Sequence, residues 1–340
     1  MQSADLVSAA VFPRLLVWLR TLASLRLTLI IIVVFALSIG IYYFSDRRYE
    51  WILAMPLTLL AINLSAAIVT HPTFRYRTPL LLFHLALLML LLLVVAGRLS
   101  YLRAEVEVTS GSQFAGSFDR SESGPLHQPG YQQLHFLLHD FTIHYAPGIQ
   151  REETEAQIEW RDDSGRRMST TIGDHHPLRL NGYRFYTTPN KGFAALFLWQ
   201  PTATASAQRG TVHFPAYPAH EFRQAQRWVT PDLRLELWGQ LDFDEILLDP
   251  EHPSQFRLPQ QQRLTIRTND KRYSLQPGES ISLPQGTLRY EGLRKWMGFK
   301  VFYDWTLPWL LACGVVAVLS LGWHYWRIFS ADPWLREGKE

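Results

Sequence analysis

The sequence predicts a membrane protein of four transmembrane helices, with a large, mainly β extracytoplasmic domain inserted between helices three and four. Three observations carry this reading. Four apolar runs, residues 22–44, 51–70, 79–97 and 305–326, each approach the ~20 residues a helix needs to cross ~30 Å of hydrocarbon. The 207 residues or so between the third and fourth runs, roughly 98–304, alternate apolar and polar residues between turn signals. The arginines concentrate beside alternate ends of the runs. The mean hydropathy of −0.05 averages these two unlike parts.

Residues 1–21 form the cytoplasmic N-terminal segment, carrying Arg14 and Arg20. The run 22–44 is too long for a signal-peptide core, and Tyr42, Tyr43 and Phe44 stand where small residues would mark a cleavage site, so it reads as a retained helix. Arg26 near its start, Arg75 and Arg77 between the second and third runs, and Arg327 and Arg336 after the fourth mark the inner side. On the opposite side Arg47 and Arg48 stand beside Asp46 and Glu50. Both termini, including the tail 327–340, are then cytoplasmic. Aromatic residues at the run ends, such as Trp51, Tyr101, Trp305 and Trp326, suit the headgroup level.

The third run, PLLLFHLALLMLLLLVVAG, contains His84. An imidazole in hydrocarbon is costly, and metal ligation, a proton path or a buried hydrogen bond usually accounts for it. Counting 1.5 Å per residue from the inner ends of the helices, Thr28, Asn63, His84 and Ser320 fall at similar depth. Asn63 then stands where it would hold one ring nitrogen of His84 and orient the other. Ordinary interhelical hydrogen bonding is the competing account of this polar layer, and it is the better one for Thr28 and Ser320.

The segment 98–304 is large enough for its own core. Residues 111–130 read as a loop, and strand-like runs follow at 133–145, 156–161, 167–172, 183–188, 194–200, 233–238, 263–268, 272–275 and 286–290. Turn signals divide them, among them Asn181-Gly182 and Pro189-Asn190-Lys191-Gly192. This spacing predicts an antiparallel sandwich or open barrel, with one helical turn near 219–227. The only cysteine, Cys313, lies in the fourth run, so the external domain has no disulfide and thiol chemistry is excluded. His135 and His139 share strand parity but lie about 13 Å apart on an extended chain, which argues for solvated histidines over a zinc site. His220-Glu221 lacks the second histidine of HExxH, and GxSxG, GxGxxG and Walker patterns are absent. The net charge of +3 comes largely from membrane-flanking arginines and implies no nucleic-acid partner. No catalytic residue is predicted.

Several stretches together resemble the ResB-like cytochrome c biogenesis family. They are LASLRLTLIIIVVFALSIG at 22–40, FHLALLMLLLLVVAG at 83–97, LHFLLHDFTIHYAPG at 134–148, HPLRLNGYRFYTT at 176–188 and GLRKWMGFKVFYDWTLPWL at 292–310. The resemblance implies the same layout in a bacterial inner membrane, with the large domain periplasmic. It implies a partner of the ResC type, a multi-span haem-handling subunit bearing a tryptophan-rich motif. It also implies apocytochrome c as client and haem b as a transient cargo shared with the partner. By the same resemblance His84 becomes a candidate axial haem ligand and Asn63 its candidate orienting neighbour. The chain has neither a tryptophan-rich motif nor CxxC, so it fits the half of the pair without that motif, and the resemblance implies a non-catalytic or haem-site subunit of a cytochrome c haem lyase complex. Two departures stand out: Asp304-Trp305-Thr306 replaces Asp-Pro-Gly, and Asp174-His175-His176-Pro177-Leu178 replaces Asn-x-Pro-Leu.

Arg75 and Arg77 would suit a basic rim for haem entry, although the positive-inside signal alone accounts for them. Two other functions compete. One is a haem-free, membrane-anchored extracytoplasmic chaperone or assembly factor in which His84 is merely hydrogen-bonded. The other is a b-type electron carrier, which needs paired histidines on facing helices, whereas only His84 is read as lying in the hydrocarbon.

Overall fold

A computed structural model of the chain describes residues 17–45, 49–162, 164–202, 206–218, 224–230, 235–268 and 271–330. These residues form two compact units, one helical and one of β-sheet.

The helical unit contains α1 (Leu25–Phe44), α2 (Trp51–Thr70), α3 (Thr78–Ser100) and α4 (Leu307–Ser330). All four are long and apolar enough to cross a membrane. Their side chains are mostly exposed, as expected where lipid or a partner replaces water. Chain neighbours pack on one another: α1 on α2, α2 on α3 and α3 on α4. The apolar run that begins at Leu22 is interrupted, because helical residues 17–22 end before α1 starts at Leu25.

At the end of the bundle where α1 and α3 finish and α2 begins, charged and aromatic side chains tie the three helices together. Glu50, 6% exposed, accepts hydrogen bonds from Tyr42 at 3.1 Å and Tyr101 at 2.9 Å. Its carboxylate pairs with the guanidinium of Arg98, which also donates to the Tyr42 hydroxyl. Arg98 lies over both tyrosine rings, 4.8 and 5.1 Å from their centroids. Glu50 is therefore a buried ion-pair partner, where its sequence position suggests only a charge offsetting Arg47 and Arg48. Asp304 starts α4: its Oδ1 accepts from the Thr306 amide at 2.9 Å and the Thr306 hydroxyl at 2.7 Å. An Asx turn thus does locally what a proline would do by restricting φ.

The β unit holds three sheets of seven, five and four strands. The seven-stranded sheet centres on the strand Tyr183–Pro201, paired antiparallel with Gly286–Tyr303. The five-stranded sheet centres on His135–Ala146 and Gln150–Arg161. The four-stranded sheet orders Ala225–Val229, Glu236–Asp242, Arg263–Arg267 and Arg272–Leu275. Phe136 of the five-stranded sheet packs edge-on against Phe185 and Phe299 of the seven-stranded sheet, at 5.2 and 6.0 Å. The layering is thus three-sheeted rather than a simple sandwich, because the longest strands are long enough to serve more than one partner.

Several local expectations are overturned. Residues 111–130 contain the strands Ser112–Ala115 and Arg120–Ser123. The helical turn expected over 219–227 has Ala225–Val229 as a strand, and 219–223 lie outside the described residues. Pro189-Asn190-Lys191-Gly192 is no turn. One strand continues through it, because a bulge between the pairs Thr187↔Phe299 and Lys191↔Met297 takes up the extra residues. The Thr188 hydroxyl donates to the Gly298 carbonyl at 2.8 Å and accepts the Asn190 amide at 3.2 Å, so the unpaired backbone at the proline is locally satisfied. Asp174, at the other departure from the family pattern, accepts from Thr187 at 2.9 Å and pairs with Arg151.

Candidate functional site

A cleft of about 1210 Å³ opens in the helical unit, above the ~300–1,000 Å³ common for small-molecule sites. Leu25, Thr28 and Ile32 line it from α1 and Leu57, Leu60 and Asn63 from α2. Phe74, from the single helical turn Thr73–Tyr76, and His84 and Val94, from α3, complete the apolar wall. The helix order explains the cavity: α2 packs on both α1 and α3, which stand apart on either side of it.

His84 lines this cleft, and its Nδ1 lies 2.8 Å from the Leu80 carbonyl one turn earlier. A carbonyl oxygen only accepts, so Nδ1 carries the hydrogen, and in the neutral ring Nε2 keeps a lone pair. Nε2 has no hydrogen-bond partner among the described residues. A histidine whose other nitrogen donates to a backbone carbonyl is set up as a metal ligand, since the carbonyl fixes tautomer and ring orientation. The rings of Phe74 and Phe83 stand edge-on to the imidazole, at 4.6 and 5.2 Å between centroids.

Asn63 lines the same cleft but is bonded elsewhere. Its Oδ1 accepts the Thr28 hydroxyl at 2.7 Å, and its Nδ2 donates to the carbonyls of Leu22 and Ser24. The Leu22 carbonyl lies at the break before α1, where helical pairing lapses and the backbone needs another donor, whereas the Ser24 carbonyl also accepts the Thr28 amide at 3.1 Å. Asn63 thus anchors α1 to α2, and the Leu80 carbonyl orients His84. The depth match was legible in the sequence; the partner was not, because an (i, i−4) carbonyl is always within reach of a helical side chain. Ser320 is buried but is not among the cleft residues.

Two features went unseen in the sequence. His71, the residue that caps the C-terminus of α2, also lines the cleft, and its ring lies 6.4 Å from that of Phe74. His324 lies inside α4, which continues to Ser330, so His84 is not alone among the histidines of the apolar helices. The count of one fails because His324 itself falls within the fourth apolar run, 305–326. His324 stacks edge-on with Tyr325 at 5.6 Å and does not line the cleft. Of the arginines, Arg20 lines the cleft; Arg77 does not, and the side chain of Arg75 lies outside the described residues.

In the β unit, among the described residues, no three His, Cys, Asp or Glu side chains are grouped to hold a metal. His139 pairs with Glu159 at 3.0 Å. His213 bridges Glu107 and Thr109, each at 2.8 Å, while stacking on Trp296 at 5.5 Å. The order acid, imidazole, hydroxyl resembles a nucleophile relay. Thr109, however, is 4% exposed, which leaves no room for a substrate at its hydroxyl, so the trio braces the sheet.

Residues 74–224 match the model of the ResB-like family. That stretch includes α3 with His84 and the strands through His213, and there the resemblance read from the motifs is borne out. The motifs at 22–40 and 292–310 fall outside the matched stretch. No curated protein matches the chain. Among solved structures, the chain is similar to a structure described as "Cytochrome c Heme Lyase CcmF", at 12% identity and a TM-score of 0.29. The match covers 89% of this chain and 35% of that one, so the chain spans about a third of its length.

Proposed function

We propose that this chain is a membrane subunit of a cytochrome c biogenesis complex. In this reading it helps to bind and export haem and to present it for covalent attachment to apocytochrome c. The observation that carries the reading is His84, lining a large apolar cleft with Nδ1 committed to the Leu80 carbonyl and Nε2 without a partner among the described residues. The donor set fits the cargo. Imidazole nitrogen is a normal axial ligand to haem iron, and an apolar pocket suits the porphyrin. His84 would hold the iron of haem b, and Phe74 and Phe83 restrict how the imidazole turns.

The ResB-like match supports the assignment to cytochrome c biogenesis. The family resemblance supplies the rest of the proposal: a bacterial inner membrane, a periplasmic β domain, a ResC-type partner sharing the haem, and apocytochrome c as client. The cleft lies between only three helices, which suits a site that a partner completes.

The test is the haem content of the native complex with His84→Ala. Loss of an axial ligand should reduce haem retention by more than the ~10–100-fold in affinity that an orienting neighbour contributes to a metal site, while the protein still inserts and assembles. Added imidazole should restore part of the haem spectrum by filling the vacated position. Unchanged haem in His84→Ala would leave the haem-free assembly factor as the better reading.

A further inference from the structure

The cleft is not uniformly apolar along its length. Apart from Thr28, Asn63 and His84, its polar lining residues gather at one end. Arg20 and Ser24 precede α1, Thr70 is the last residue of α2, and His71 caps that helix. Ile32, Leu57, Leu91 and Val94 line the cleft further along the same helices. His84 lies between the two regions, six residues or about 9 Å from the start of α3.

Among the described residues Arg20 is the only Lys or Arg that lines the cleft, and its guanidinium makes no ion pair with any of them. An arginine is charged at every working pH and presents planar donors that match a carboxylate. Unpaired beside low-dielectric walls, it favours an anion more strongly than it would in open water. The positive-inside pattern explains an arginine somewhere in this region, but it does not require one that lines the cavity.

We infer that the cleft binds an amphiphile with an anionic end, and that Arg20, at the same end of the cleft as His71, receives the carboxylates of that ligand. The inference rests on the proposed haem reading and adds to it an orientation: the metal at His84, the propionates toward Arg20, and the apolar porphyrin edge toward Ile32 and Val94.

The experiment titrates full-length protein in detergent with iron protoporphyrin IX and, separately, with its dimethyl ester, whose carboxylates are masked. Arg20→Gln should weaken binding of the free diacid by about tenfold, the scale of one charge-assisted hydrogen bond. It should leave the ester within about twofold, a difference too small for a lost ion pair. Arg20→Lys should restore part of the diacid affinity. Equal weakening of both porphyrins, or of neither, would overturn the inference. His84→Ala tests the underlying reading separately, because it should change the absorbance spectrum with both porphyrins. A spectrum unchanged in His84→Ala, or no porphyrin binding by the wild-type protein, would remove the haem reading itself and this inference with it.

Discussion

Asn63 of α2 accepts the Thr28 hydroxyl of α1 at 2.7 Å and at the same time donates to the Leu22 carbonyl, left open where the preceding helical residues end, and at 3.4 Å to the Ser24 carbonyl, which the Thr28 amide also engages. One amide thus serves both as an interhelical bond and as the satisfaction of a backbone break. A polar side chain in an apolar bundle is retained where the alternative is unpaired backbone. This shifts the role of Asn63 from the orientation of His84 to the docking of α1.

Asn63→Leu should therefore loosen α1 against α2. Interhelical hydrogen bonds in membranes contribute about 0.6 kcal/mol on average, with ~1.7 at the upper end; the Leu22 carbonyl left unpaired, on top of the lost Thr28 bond, should bring the loss to the upper part of that range. Thermal denaturation in detergent of Asn63→Leu, Thr28→Val and the double variant checks this. The double variant should lose little more than Asn63→Leu alone, since Thr28 acts through the same amide. Strict additivity would show that the two residues act separately.

The ion pair of Glu50 and Arg98 predicts an asymmetric response. Removing one partner leaves the other buried and uncompensated, at a cost of about 3–5 kcal/mol. Replacing both with leucine removes the uncompensated charge. Glu50→Leu should sharply lower the denaturation temperature, and Glu50→Leu with Arg98→Leu should recover much of it. If the double variant is as unstable as the sum of the single ones, the charges act independently of each other.

Lys191 gives the β unit a pH dependence of definite sign. Lys191 is 3% exposed, and its ammonium lies over the rings of Tyr145 and Phe256 at 4.8 and 5.5 Å, with no hydrogen bond or ion pair among the described residues. Burial, helped by the Arg151 charge, pushes its ammonium down to about 8 from 10.5. Between those values the unfolded chain holds the proton and the folded chain does not, so stability rises with pH, by roughly 3 kcal/mol across the full window. Tyr145 and Tyr183, both pushed up to about 12 by burial, act in the opposite sense above pH 10, where the unfolded tyrosines ionise first. Unfolding of the whole protein between about pH 8 and 10 should show the rise, and Lys191→Met should flatten it and raise stability at pH 7. An identical slope in Lys191→Met would assign the effect to other groups.

Topology is open to a direct check. Reporter fusions after Arg48 and within residues 110–130 should signal the outside, and fusions after Pro72 or at the C-terminus the inside, following the arginine bias of the short segments. An inside signal from the 110–130 fusion would overturn the whole membrane arrangement.

The sequence by itself determined the four apolar helices, because hydrocarbon thickness and backbone satisfaction leave one solution for a run of ~20 apolar residues. It also determined the β character of the domain between helices three and four, and it singled out His84, because an imidazole in such a run stands out by composition alone. Side-chain partners were decided only in three dimensions. His84 found its own helix at Leu80, Asn63 found the break at Leu22 and Ser24, and Glu50 found Arg98 across 48 residues of chain. The turn signal at Pro189 gave way to a bulge for the same reason: a strand already paired along most of its length holds a locally unfavourable dipeptide more cheaply than it gives up its ladder. Periodicity and composition report what a segment must bury. Which polar group satisfies which depends on the packing of distant segments, and that information is not local.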